Sequence, residues 1–146
     1  MAPRNLIVLP TDFSTRSEAA LPWARRMADQ MQAEIHCIYV LQEPQFYATL
    51  DMAPMPMPPV DELKESAEKR MSRFAAEHQK TLGKVTTRIL VGRPAEEVVN
   101  YAKEHQASLI IMTTHGYSGV KHALLGSTTE AVLRHAGCPV LSIRNA

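Results

Sequence analysis

The feature that most limits how this chain can fold is a series of five short apolar runs, separated by longer stretches with helical periodicity. The first is Leu6-Ile7-Val8-Leu9, ended by Pro10. The second runs from Glu34 to Leu41, and the third from Val85 to Val91, where Gly92 stops it. The fourth is Leu109-Ile110-Ile111-Met112, and the fifth runs from Val140 to Ile143. A strand exposed on one face alternates apolar and polar residues, whereas these runs are apolar at nearly every position. Both faces of the sheet must therefore be covered, which is the pattern of parallel strands joined by helical crossovers. Right-handed crossovers leave few layouts. The expectation is an α/β fold with a five-stranded parallel sheet in the order 3-2-1-4-5, helices on both faces, and a single domain over residues 1–146.

The intervening helices are equally legible. Ala19, Ala20, Trp23, Ala24, Met27, Ala28 and Met31 fall on one stripe of a helix expected over Thr15 to Met31, with Thr15 and Glu18 spaced as a capping box. Pro22 inside that span predicts a kink. A second helix is expected from Asp61 to about Leu82, with Leu63, Ala67, Met71, Phe74, Ala75 and His78 inward. A third starts at Pro94, a residue suited to the first helical position, with Ala95, Val98, Val99 and Ala102 inward. A fourth starts at Ser127, which has capping-box spacing to Glu130. Between the second strand and second helix, Glu43 to Pro59 contains Met55-Pro56-Met57-Pro58-Pro59 and reads as a surface loop.

In a 3-2-1-4-5 sheet the chain reverses direction of growth between strands one and four, and ligands sit outside the carboxyl ends of the strands at that switch. Two segments lie there. Pro10-Thr11-Asp12-Phe13-Ser14 offers the Asp12 carboxylate, which suits a ribose, a base amine or magnesium, and equally suits bracing a turn or capping a helix. Thr113 to Thr129 carries Gly116, Gly119 and Gly126 and then opens a helix at Ser127. The free N–H groups of such a helix start, with the hydroxyls of Ser127 and Thr128, form a natural anion site. Glycines that only shape a turn and a serine that only caps a helix would look the same. The spacing is neither a Walker loop nor the Rossmann glycine fingerprint.

Together, Leu6 to Leu21 (LIVLPTDFSTRSEAAL), Gly92-Arg93-Pro94-Ala95, and Met112 to Arg144 (MTTHGYSGVKHALLGSTTEAVLRHAGCPVLSIR) resemble the universal stress protein family. The resemblance spans essentially the whole chain. It implies a Rossmann-like five-stranded parallel sheet, homodimerisation and, in one subclass, ATP binding through G-x2-G-x9-G-[ST] after the fourth strand. In this chain Gly116, Gly126 and Ser127 match that motif, while Thr113 stands at the first glycine position. The resemblance implies that Asp12 meets the adenosine end, that Val40 offers backbone groups to the adenine, and that Gly116, Gly126, Ser127 and Thr128 hold the ribose-phosphate portion. Pro10, Thr11, Met112, Thr114, His115 and Gly119 complete the expected nucleotide site. The Asp12 carboxylate and the Ser127 hydroxyl are the expected contacts to a Mg²⁺ ion carried by the nucleotide.

The remaining features narrow the function class. A net charge of +1, with basic residues scattered among acids, gives no electrostatic case for nucleic acid or an anionic membrane. The first nine residues lack the long apolar region of a signal peptide. Cys37 and Cys138 have no CxxC spacing and sit in strand-like runs, as reduced buried thiols do in a cytoplasmic protein. The closing strand, Val140 to Arg144, is an apolar sheet edge without an interior charge, and such an edge invites pairing with a second copy. No catalytic set is evident, and His115 is read as a turn residue. The expected function is a cytoplasmic, dimeric, ATP-binding protein with a sensing or regulatory role in stress response, hydrolysing ATP slowly at most. The alternative is a nucleotide-free interaction or chaperone-like dimer.

Overall fold

The computed structural model describes residues 4–42, 58–115 and 125–144. Within them, strands β1 (Asn5–Pro10), β2 (Ala33–Leu41), β3 (Thr86–Val91), β4 (Leu109–Thr113) and β5 (Val140–Ile143) alternate with helices. The helices are α1 (Leu21–Met31), α2 (Val60–Glu77), the short α3 (Gln79–Leu82), α4 (Pro94–Glu104) and α5 (Ser127–His135). The strands form one sheet in the order β3-β2-β1-β4-β5, with parallel pairing throughout. The expected topology is the observed one. The Met/Pro-rich stretch and the glycines Gly116 and Gly119 lie outside the described residues.

The alternation of side chains along each strand explains why the sequence shows unbroken apolar runs. Ile7, Leu9, Ile35, Cys37, Leu109 and Ile111 point to one face, where Ala20, Ala24, Ala28, Met71, Phe74 and Leu82 cover them. Leu6, Val8, Ile38, Val40, Ile110 and Met112 point to the other, beneath Val98, Tyr101, Ala102 and Val132. Both sets are buried, and each fully buried aliphatic side chain contributes about 1.5–3 kcal/mol. Cys37 is part of this packing, and its burial pushes the thiol pKa up to about 12. Cys138, by contrast, lies in the turn just before β5 and not within a strand.

The first helical segment differs from its sequence pattern. Thr15 and Glu18 do not form a capping box. Ser14 takes that place, its Oγ accepting from the Ser17 N–H at 3.1 Å while its carbonyl accepts from Ser17 Oγ at 2.7 Å. Ser17–Ala20 then forms a 3-10 turn, and α1 proper begins at Leu21. Pro22 thus falls in the first turn of α1, where its missing N–H costs nothing. Within α1 the buried stripe is centred on Leu21, Ala24 and Ala28, and Trp23 lies about 100° round the helix from Ala24. Trp23 is left 43% exposed, with the Arg26 guanidinium over its ring. The second expected helix is likewise interrupted at His78, between α2 and α3.

Candidate functional site

At the carboxyl edge of the sheet, β1 and β4 lead to opposite sides, and a cleft of about 400 Å³ opens between their ends. Its size lies in the range of small-molecule sites. Pro10, Thr11 and Asp12 form one wall, leaving β1. Ile38, Val40 and Met112 supply an apolar floor from β2 and β4. Gly126, Ser127 and Thr128 form the opposite wall at the start of α5, and Pro94 and Val98 of α4 close the side. Two helix starts therefore border the cleft, and their N–H groups carry partial positive charge.

Hydrogen bonds shape the β1 wall. The Thr11 N–H donates to the Ile38 carbonyl at 2.9 Å, which prolongs the pairing of β1 with β2 by one residue. Thr11 Oγ1 accepts from the Phe13 N–H at 3.0 Å and lies 3.1 Å from Ser17 Oγ. Asp12 Oδ1 accepts from the Ser14 N–H at 2.9 Å. The turn-bracing role open to Asp12 is thus real, and it leaves the residue on the cleft wall. Phe13 adopts φ 64°, uncommon for a bulky residue. Its ring packs on Tyr39 and Phe74, with Arg70 over it, so packing holds the strained turn.

The opposite wall starts at Gly126, which is the N-cap of α5. The expected Ser127–Glu130 capping box is absent. Glu130 Oε1 instead accepts from Arg134 Nη2 at 2.9 Å, one turn further along. This pairing occupies the carboxylate that would otherwise compete for the first-turn N–H groups. A Cβ on Gly126 would stand 3.2 Å from the Thr114 carbonyl oxygen, so glycine lets the two segments approach. Asp12 and Ser127 line the same cleft. Among the described residues no group of three or more His, Cys, Asp or Glu side chains could hold a metal ion by itself. Any Mg²⁺ there would need most of its ligands from water or phosphate.

Of the expected site residues, Pro10, Thr11, Asp12, Val40, Met112, Gly126, Ser127 and Thr128 come together around the cleft. Thr114 and His115 do not line it. The Thr114 N–H donates to the Ile143 carbonyl at 2.9 Å, and His115 Nδ1 lies 3.1 Å from Thr114 Oγ1. Ser17, Leu41, Gln42, Pro94, Thr113 and Thr129 line the cleft without having been assigned to it. Extending the switch-point rule to the last residues of β2 and to the helix start after β3 would have found Leu41, Gln42 and Pro94.

A doubly wound α/β protein with a small-molecule cleft at its topological switch is the class that fold and site define. A model of the universal stress protein family matches residues 4–144. Universal stress protein MJ0531 of Methanocaldococcus jannaschii is 34% identical over 139 residues, covering 94% of this chain and 81% of that protein. The solved structure of MJ0577 from the same organism superposes with a TM-score of 0.77 at 30% identity, over 97% of this chain and 96% of that one. The universal stress protein of Archaeoglobus fulgidus, solved in complex with dAMP, shares the fold with a TM-score of 0.68 at 20% identity, over 98% and 99% of the two chains. The chain belongs to the universal stress protein family. No helix among the described residues is long and apolar enough to cross a membrane.

Proposed function

We propose that this chain binds an adenine nucleotide, ATP above all, in the cleft between β1 and β4, and acts as a dimeric cytoplasmic sensor in stress response. The observation that carries the reading is the chemistry of the cleft walls. An apolar floor suits a base, Asp12 suits a ribose or base amine, and the first turn of α5 suits phosphate. That a universal stress protein of the same fold was solved with dAMP is consistent with this division. Asp12 and Ser127 stand on facing walls, where a Mg²⁺ ion bridging phosphate oxygens and water would gain a carboxylate and a hydroxyl.

The dimer belongs to the same proposal. The β5 strand is the sheet edge beyond β4, and its four residues are only partly buried. Antiparallel pairing of β5 with its copy would satisfy the open ladder and cover Leu141 and Val140. Calorimetric titration of nucleotide-free protein with ATP and Mg²⁺, alongside Gly126→Val, tests the first part. Micromolar binding lost in the variant supports it, and absence of binding by the natural chain overturns it. Sedimentation of the natural chain and of Leu141→Lys tests the second. A monomeric natural chain would refute the edge-pairing model.

A further inference from the structure

We infer that the Thr129 hydroxyl clasps the first turn of α5 to the end of β4 while the Thr113 hydroxyl fixes the turn that follows β4, making Thr113 a positioning residue for the nucleotide site. The inference rests on the proposed nucleotide reading and concerns how the phosphate wall is kept in place.

Two hydrogen bonds join the two sides, and a third braces the turn on the β4 side. Thr129 Oγ1, in the first turn of α5, donates to the Thr113 carbonyl at 2.8 Å. The Gly126 N–H donates to the Thr114 carbonyl at 2.7 Å. Thr113 Oγ1 donates to the His115 carbonyl at 3.0 Å, fixing the turn by which β4 leaves the sheet. Thr113 and Thr129 are both buried, at 8% and 3% exposure, so the bond between them forms where water competes poorly. The hydroxyl of Thr113 is therefore engaged along its own backbone.

A glycine at position 113 would remove the bond to His115 and free the backbone at the point where the wall is anchored. The exit from β4 would lose order, and the N–H groups of Ser127 and Thr128 would have to be ordered when the ligand arrives. Ordering after binding costs affinity, whereas ordering beforehand does not. The counter-intuitive consequence is that Thr113→Gly, which enlarges the cleft and restores the family motif, weakens binding.

The test pairs a ligand-free readout with an affinity. Amide exchange at Gly126 is followed without nucleotide, and ATP with Mg²⁺ is titrated by calorimetry, in the natural chain and in Thr113→Gly, Thr113→Val, Thr113→Ser and Thr129→Val. One neutral hydrogen bond corresponds to roughly three- to tenfold in equilibrium constant. The expected result is a loss of that size in affinity for Thr113→Gly, Thr113→Val and Thr129→Val, with faster Gly126 exchange, and retention of both by Thr113→Ser. Should Thr129→Val fail to fold, the three Thr113 variants decide. Affinity in Thr113→Gly equal to or above that of the natural chain overturns the clasp, as does unchanged Gly126 exchange in Thr113→Val. A natural chain that binds no nucleotide overturns the functional reading, and the positioning role with it.

Discussion

The two ends of the parallel sheet use the same strands and the same helices, yet one is closed and the other open. In the amino half, His36 of β2 meets the end of α4. Its Nδ1 lies 2.7 Å from the Tyr101 hydroxyl, and the His105 ring stacks on Tyr101 with a centroid separation of 4.0 Å. His105 Nδ1 donates to the Tyr101 carbonyl at 2.9 Å, adding a side-chain donor to a helix-end acceptor that also takes the His105 N–H at 3.0 Å. At the carboxyl edge, four residues further along β2, Val40 borders the cleft and the helices present N–H groups. Polar residues occur at both ends, so polarity does not select the site. Helix direction does: crossovers return each helix antiparallel to the strands, placing helix starts at the carboxyl edge and helix ends at the other. The starts attract anions, and the ends attract donors from their own surroundings.

The largest expected effect that sharpens this contrast comes from Gly126→Val. Its branched side chain must fit where a Cβ alone is 3.2 Å from the Thr114 carbonyl. Overpacking of about 2–3 kcal/mol at the wall predicts a roughly thirtyfold or greater loss of ATP affinity by calorimetry. A smaller shift would mean that the α5 wall does not hold the ligand. Next comes Gly92→Ala, beside the same edge, where φ is +148° and a Cβ would lie 2.7 Å from Glu97 Oε1. Urea unfolding should show a loss of about 1–3 kcal/mol, and adding Glu97→Ala should recover the steric part but not the backbone part. Full recovery would remove backbone strain from the explanation.

At the closed end, Tyr101→Phe removes the hydroxyl that faces His36. A destabilisation of about 1–2 kcal/mol in urea unfolding is expected, with ATP affinity unchanged. A change in affinity would break the contrast by linking the two ends. The smallest effect is a pH dependence from His36. Burial lowers its pKa below the usual 6.5, the charges of His105 and Arg88 lower it further, and Glu34 opposes them. Between the two pKa values the unfolded chain binds more protons than the folded one. The contribution to stability is therefore whole above pH 6.5, falls as pH drops through 6.5, and levels off below the folded pKa. Thermal melts between pH 7.5 and 5 should show this fall, and His36→Gln should flatten it. An unaltered slope in the variant would assign the acid sensitivity elsewhere.

Much of this architecture is legible in the residues themselves. Strands buried on both faces must be apolar at consecutive positions, so β1, β4 and β5 could be read almost to the residue, and chirality then limited their order. Pro10, Asp12 and the Gly126-Ser127-Thr128 run follow from the switch-point rule and the family motif, and Val40 and Met112 from the wider family resemblance. What failed to be legible was local competition for hydrogen bonds. Thr15 with Glu18 and Ser127 with Glu130 have the spacing of capping boxes, but spacing does not reveal rival partners. Ser14 captures the Ser17 amide, and Arg134 captures Glu130. Trp23 falls at the margin of the stripe, about 100° round α1 from Ala24, because Leu21 takes the core-facing place beside Ala24 and Ala28.

The sequence by itself determined the periodicities, hence the alternation of strand and helix, the two-sided burial of the sheet and the edge where a ligand site belongs. These depend on side chains near one another along the chain and on a chirality common to all L-residues. The tertiary structure alone decided the role of Thr113. Whether its hydroxyl fills the cleft or bonds to the His115 carbonyl depends on how β4 ends and on Thr129, which is sixteen residues away in sequence and reaches the Thr113 carbonyl only once α5 has packed. Contacts of that kind are created by packing, and no local spacing encodes them.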